Sequence, residues 1–77
     1  MENEHLRPLS KVKAGETVKL TRVNAGQGLN SRLASMGLLP NVEITVVRNG
    51  HPGPFVISVK GSKMMLGRGI ANKIMVL

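Results

Sequence analysis

The stretch Leu29-Asn-Ser-Arg-Leu-Ala-Ser-Met-Gly-Leu-Leu-Pro40 carries the only helix-like pattern in this sequence. Its apolar residues Leu29, Leu33 and Met36 recur at i, i+4 and i+7, a spacing that places their side chains in one stripe of a helix. The pattern predicts one short helix, over about residues 28–36, that covers part of a small β core.

The residues after this stripe predict where the helix ends. Gly37 can adopt the left-handed conformation at no steric cost, and Pro40 blocks any continuation of the helix. Pro40 and Asn41 also suit the second and third positions of a tight type I or type II turn. The chain is therefore expected to reverse here and to enter a strand.

Alternating apolar and polar residues on both sides of the helix predict half-buried β-strands. The alternation is clearest in Val42-Glu-Ile-Thr-Val-Val47, and turn-forming stretches such as Asn49-Gly-His-Pro-Gly53 separate the segments. Five short strands at this spacing indicate a mainly β fold, a small antiparallel barrel or a partly open one. The strands are expected at residues 16–23, 42–47, 54–60, 63–66 and 72–77, with a single helical turn at 67–71.

Length and composition restrict the class of protein. The 77 residues make one domain and contain no cysteine, which excludes disulfides and thiol chemistry. No apolar run approaches the roughly 20 residues that a membrane-spanning helix needs, and the polar, acidic first residues do not resemble a signal peptide. We expect a soluble cytoplasmic protein with a flexible N-terminal arm at residues 1–8 and one domain at residues 9–77.

The chain is basic, with eleven Lys and Arg residues against four acidic residues and a formal net charge of +7. This charge suits an anionic partner such as nucleic acid or a membrane surface. The cations are scattered along the sequence, however, and Phe55 is the only aromatic residue available to stack on bases. We therefore expect no specific nucleic-acid partner and regard a small basic nucleic-acid-binding barrel as an alternative.

Few residues could carry out catalysis. The sequence has no Asp, and its four Glu residues show no paired arrangement for general acid–base chemistry. His5 in the arm and His51 in the predicted hairpin loop have no partner ligand at a metal-binding spacing. Met64 and Met65 are adjacent in a strand and would point to opposite faces, so they cannot chelate one ion together. We expect neither an enzyme nor a preformed metal site.

Arg68 lies between two glycines on the predicted turn, where its guanidinium could bind a carboxylate or phosphate of a partner. An alternative is that Arg68 pairs within its own chain, with carbonyl groups or with Glu43. The sequence does not decide between these two roles.

A series of residues from Leu9 onward resembles the ferrous iron transport protein A (FeoA) family in order and spacing. Asn41 stands where the family most often has glycine. The related SH3-like domain of iron-dependent repressors is also similar, although this chain has no helix-turn-helix domain. The residues that carry the resemblance are Leu9, Gly15, Arg32-Leu33, Met36-Gly37, Pro40, Val46, Gly53-Pro54, Val59, Leu66-Gly67-Arg68, Ala71, Ile74 and Val76.

The resemblance implies an SH3-like antiparallel β-barrel of five or six strands with one inserted helix. It also implies a non-catalytic cytoplasmic accessory protein of bacterial ferrous-iron uptake that acts on the G-protein-containing membrane permease FeoB. A peripheral position at the inner face of the membrane, weak self-association and weak Fe²⁺ binding stay open, and a metal-binding iron regulator or chaperone is a further alternative. The exposed face of the helix and the turn at residues 67–69 are the expected contact surface, with Arg32, Met36, Leu39 and Arg68 as candidate partner-binding residues.

Overall fold

The computed structural model describes residues 5–50 and 52–77, which form six β-strands and two helices. Helix α1 spans Gln27–Ser35, one residue earlier than predicted, and helix α2 is the expected single turn at Arg68–Ala71. A 3-10 turn spans Leu9–Lys11. These bounds confirm a mainly β fold with one inserted helix. The strands are β1 (Arg7–Pro8), β2 (Thr17–Val23), β3 (Glu43–Asn49), β4 (Phe55–Val59), β5 (Ser62–Leu66) and β6 (Ile74–Val76).

The six strands form one antiparallel sheet in the order β1-β6-β2-β3-β4-β5. Strand β2 belongs to both halves of this sheet, because residues 17–19 pair with β3 and residues 20–23 pair with β6. A change of partner along one strand bends a sheet around its core. The sheet is curved into a barrel-like fold without strict closure, which confirms the small SH3-like barrel.

The first strand differs from the sequence-based prediction. Arg7 and Pro8, which we assigned to a loose arm, form β1 and pair with Val76 and Met75 of β6. Proline is compatible with a strand at the edge of a sheet, where its missing N–H is not needed for pairing. The prediction for these two residues was wrong, because the strand that they pair with lies at the far end of the chain. Residues 1–4 of the expected arm, and His51, lie outside the described residues.

The predicted alternation places one face of each strand in the core. In β4, Phe55, Ile57 and Val59 are buried while the residues between them are half-buried. Burying an aliphatic or aromatic side chain of this size contributes about 1.5–3 kcal/mol, so this cluster dominates the stability of the fold. The buried apolar residues are Leu9, Val12, Val18, Leu20, Leu33, Leu38, Ile44, Val46, Phe55, Ile57, Val59, Leu66, Ala71, Ile74 and Val76.

The end of α1 corrects the predicted stripe. Gly37 has a φ of +93°, and the chain reverses there through two hydrogen bonds, from Gly37 N to Ala34 O at 3.0 Å and from Leu38 N to Leu33 O at 2.9 Å. This pair of bonds is the Schellman arrangement, which brings the residue after the glycine back against the helix. Leu38 is therefore buried beside Leu33, while Met36, expected in the stripe, is 42% exposed.

A tight turn follows the helix, as predicted. Val42 N donates to Leu39 O at 3.1 Å, which closes a turn with Pro40 and Asn41 at its centre. The φ of Asn41 is +74°, so this is the type II form, whose third position requires a positive φ. Asparagine tolerates this conformation better than most residues other than glycine.

We expect Leu33→Ala to lower the free energy of unfolding by about 2–5 kcal/mol, because it leaves a cavity between α1 and the sheet. Leu39→Ala is the matched control, since Leu39 is 49% exposed and its loss should change stability by less than about 0.5 kcal/mol. Chemical denaturation measures both values. Equal denaturation midpoints for the two variants would show that α1 is not packed on the core.

The segment between β1 and β2 is fixed by one carboxylate. Lys13 N donates to Glu16 Oε1 at 2.8 Å, and Arg7 Nη2 donates to Glu16 Oε2 at 3.4 Å. The Lys13 N–H, and secondarily the Arg7 guanidinium, lower the pKa of Glu16 because both stabilise its ionised form. This carboxylate connects β1 to the start of β2.

The lowered pKa predicts a stabilising contribution that depends on pH. Glu16 favours the folded state above its unfolded-state pKa, and this contribution is lost as the pH falls through the folded-state pKa. The thermal midpoint of wild type should therefore exceed that of Glu16→Gln at neutral pH, with the gap narrowing in acid. Glu43→Gln removes the same charge and is the control. A gap that stays constant down to low pH would contradict the assignment.

Candidate functional site

A groove opens beside the turn that follows α1. It has a volume of about 490 Å³ and lies between this turn, the start of β3 and the turn between β4 and β5. Glu43 and Lys60 give it one group of each charge, and the remainder is mainly apolar surface and backbone. Its lining residues are Gly37, Leu39, Pro40, Asn41, Val42, Glu43 and Lys60.

Two large apolar side chains project into solvent at this groove. Leu39 lines it and is 49% exposed, and Met36, 42% exposed, comes just before Gly37 at its rim. Within the described residues, Met65 and Leu77 are the other large apolar side chains with comparable exposure. Exposed apolar side chains next to a concavity are typical of surfaces that bind another molecule.

Backbone hydrogen bonds hold this turn in place. Asn41 N donates to Leu20 O at 2.7 Å, and Leu20 N donates to Val42 O at 3.0 Å. The turn is thus joined at its base to β2, in the centre of the sheet. This fixed turn holds the backbone at Leu39, whose side chain is exposed in the groove.

Arg32 extends the same surface along the helix. It is exposed in the last turn of α1, four residues before Met36. Three of the four predicted partner-binding residues are thus exposed at the end of α1 and in the turn that follows it. We call Arg32, Met36 and Leu39 the helix-end surface.

Arg68, the fourth candidate, lies apart from this surface and binds within its own chain. Its Nη1 donates to Asn49 Oδ1 at 2.7 Å and its Nη2 donates to the carbonyl of Gly50. The guanidinium carbon also lies 5.7 Å from the centre of the Phe55 ring, within the range of a cation–π interaction. These contacts match the alternative in which Arg68 pairs with carbonyl groups of its own chain, and Asn49, not Glu43, supplies the side-chain oxygen.

Asn49 is a polar junction that the sequence analysis did not identify. Its Oδ1 accepts from Arg68, and its Nδ2 donates to Ser10 O at 3.0 Å and to Val12 O at 2.7 Å. One side chain thus connects the 3-10 turn, the end of β3 and the start of α2. An asparagine before a glycine reads only as a turn residue, so the sequence carried no signal for this role.

We expect Asn49→Ala to lower the free energy of unfolding by about 1–3 kcal/mol, because it removes three hydrogen bonds and leaves partly buried carbonyl groups without a donor. Asn24→Ala is the control, since Asn24 is exposed and its side chain accepts one bond from Arg22. Urea denaturation compares the two. A loss no larger for Asn49→Ala than for Asn24→Ala would contradict the junction.

The other candidate ligands are dispersed. Met64 packs against the core while Met65 is 71% exposed, which confirms that the two side chains point to opposite faces. Within residues 5–50 and 52–77, no three His, Cys, Asp or Glu side chains come together as metal ligands do. In the same residues, neither helix has the length and apolar character needed to cross a membrane.

Comparisons with known proteins agree with this fold. The chain is 46% identical over 69 residues to "Putative Fe(2+) transport protein A" of Methanocaldococcus jannaschii. This alignment covers 90% of this chain and 83% of that protein. A crystal structure of an iron uptake regulatory protein (FeoA) superposes with a TM-score of 0.81 at 32% identity, over 92% of this chain and 93% of the other.

A manganese-dependent transcriptional repressor shares the fold alone. It superposes with a TM-score of 0.84 at 21% identity, over 95% of this chain but 41% of the repressor.

The family model described as FeoA domain matches residues 7–77, nearly the whole chain and all the strands and helices described above. The chain therefore belongs to the FeoA domain family.

Proposed function

We propose that this protein is a non-catalytic accessory protein of ferrous-iron uptake. It acts in the cytoplasm by presenting the helix-end surface to the cytoplasmic part of the G-protein-containing iron permease FeoB. Membership of the FeoA family and the name of the Methanocaldococcus jannaschii relative support the link to iron transport. The exposure of Met36 and Leu39 beside a groove is the observation that carries the choice of surface.

The helix-end surface has the composition of a small protein-binding site. Met36 and Leu39 supply the apolar area, and methionine adapts its shape to a partner because its side chain is unbranched and flexible. Arg32 at the side, and Lys60 across the groove, supply positive charge at the rim. Charges at a rim orient a partner and speed association more than they add affinity.

The permease interaction predicts that Met36→Ser combined with Leu39→Ser weakens binding to the permease's isolated cytoplasmic domain by about tenfold or more. Both side chains are exposed, so the fold should be unaffected. Titration calorimetry with the full chain measures the affinity, and Leu77→Ser, at a leucine that is also 49% exposed, is the matched control.

Charge reversal tests the rim separately. Arg32→Glu should slow association, whereas Arg68→Glu should act mainly through stability, because Arg68 is bound to Asn49 and Gly50. An affinity unchanged by the double serine variant and by Arg32→Glu would show that the permease, if it binds, uses another surface.

The net charge of +7 favours a nucleic-acid-binding barrel as a second candidate. Non-specific attraction falls steeply with salt, whereas a specific complex keeps its affinity. Tight binding to a random DNA duplex that survives physiological salt would favour this candidate over the permease.

A further inference from the structure

Strand β5 forms a long free edge of the sheet. It is the last strand in the sheet order and pairs with β4, and none of the described residues pairs with its other side. The opposite end of the sheet is β1, which has two residues, whereas β5 has five. A free edge of this length has unpaired N–H and C=O groups that another strand can bind.

The hairpin turn determines which backbone groups face outward. Lys60 and Gly61 both have positive φ, +51° and +85°, which makes a two-residue type I′ turn closed by the pair Val59 and Ser62. Hydrogen-bonded and non-hydrogen-bonded pairs alternate from that closing pair. The N–H and C=O groups of Lys63 and Met65 therefore point away from β4, to the free edge.

The side chains of the same two residues lie on the outer face of the sheet. Met65 is 71% exposed and lies opposite the half-buried Val56 of β4, which in turn pairs with the exposed Arg48 of β3. Lys63 is exposed two pairs closer to the turn, on the same face. The free edge thus combines an apolar pair, Met65 and Val56, with the cation of Lys63 on β5, and Arg48 lies beyond Val56 on β3.

We propose that the β5 edge binds an extended acidic segment of a partner protein, which adds to the sheet as a further strand. Main-chain bonds to Lys63 and Met65 supply the pairing, an apolar partner residue covers Met65, and carboxylates meet Lys63 and Lys60. This surface contains none of Arg32, Met36 and Leu39, although Lys60 lies between it and the groove. The inference does not depend on the identity of the permease.

The positive charge at the β5 edge favours an acidic segment over a second copy of this chain. A lysine on an edge strand deters pairing with another strand of like charge. A second copy of this chain would bring a net charge of +7 against +7 and would place basic edges side by side. An acidic strand instead neutralises Lys63 and the neighbouring Lys60, so the feature that disfavours self-pairing favours an acidic partner.

Amide hydrogen exchange tests the pairing directly. The probe is a short synthetic peptide that carries a glutamate and a valine two residues apart, so that both lie on the face of Lys63 and Met65, added to the full-length protein at physiological salt. We expect the peptide to slow exchange at the Lys63 and Met65 amides and to leave Met64 unchanged, because the Met64 amide already faces β4. The matched probe is the same peptide with alternate backbone nitrogens methylated, which keeps the charge but cannot pair.

Two variants separate backbone pairing from charge. Met65→Pro removes one outward N–H without touching the bonds to β4 and should weaken peptide binding about tenfold, whereas Met65→Ala keeps that N–H. Lys63→Glu should weaken binding about fivefold, and Lys73→Glu, which reverses an exposed charge outside β5, is its control. Even if Met65→Pro does not fold, hydrogen exchange on the wild-type protein with the peptide tests the pairing.

Three results would overturn the proposal. They are equal binding of the methylated and unmethylated peptides, unchanged exchange at Lys63 and Met65, and protection of those amides by self-association when no peptide is present. The double serine variant of Met36 and Leu39 should bind the peptide as wild type does. A failure at the β5 edge is therefore distinct from a failure at the helix-end surface.

Discussion

The hydrogen bond from Leu38 N to Leu33 O is the constraint on which both the core and the exposed surface depend. In a continuing helix, Leu38 would lie about 140° around the axis from Leu33 and could not share its side of the core. The reversal at Gly37 instead buries both leucines and turns Met36, between them, to solvent. The same bond that completes the core thus exposes an apolar side chain, and the groove follows from the turn that begins there.

The hydrogen bonds of Asn49 also hold separate parts of the barrel together. Asn49 joins segments that are far apart in the sequence, since its amide bonds Ser10 and Val12 and its oxygen accepts from Arg68. The charge of Arg68, for which the sequence left both a partner and its own chain open, is thereby used to hold the fold together. In so small a chain, a buried apolar core of modest size is supplemented by such junctions.

Local sequence patterns predicted most of the fold, because these parts of the structure are determined by residues close together in the sequence. The alternation in β3 and β4, the glycine after α1 and the Pro40-Asn41 turn each depend on neighbouring residues. Met36 was misplaced because periodicity assumes that a helix continues, whereas the reversal begins at that residue.

Features that depend on topology could not be predicted from the sequence. The pairing of Arg7 with Val76 joins residues near the two ends of the chain, and the bonds of Asn49 and Arg68 cross between elements. For the same reason the sequence suggested Arg32, Met36, Leu39 and Arg68 as one set, whereas the fold separates Arg68 from the other three. The free edge of β5 becomes visible only once the order of the strands is known.

The pairing of β1 with β6 brings the points of entry and exit of this domain side by side, because Arg7 lies opposite Val76. A unit whose two ends meet can be inserted into a loop of a larger protein without forcing its host apart, and it can be circularly permuted by a short bridging linker. This geometry suits a fold that also forms part of a repressor more than twice its length. The use of this fold as a unit in larger proteins thus follows from the pairing of its first strand with its last.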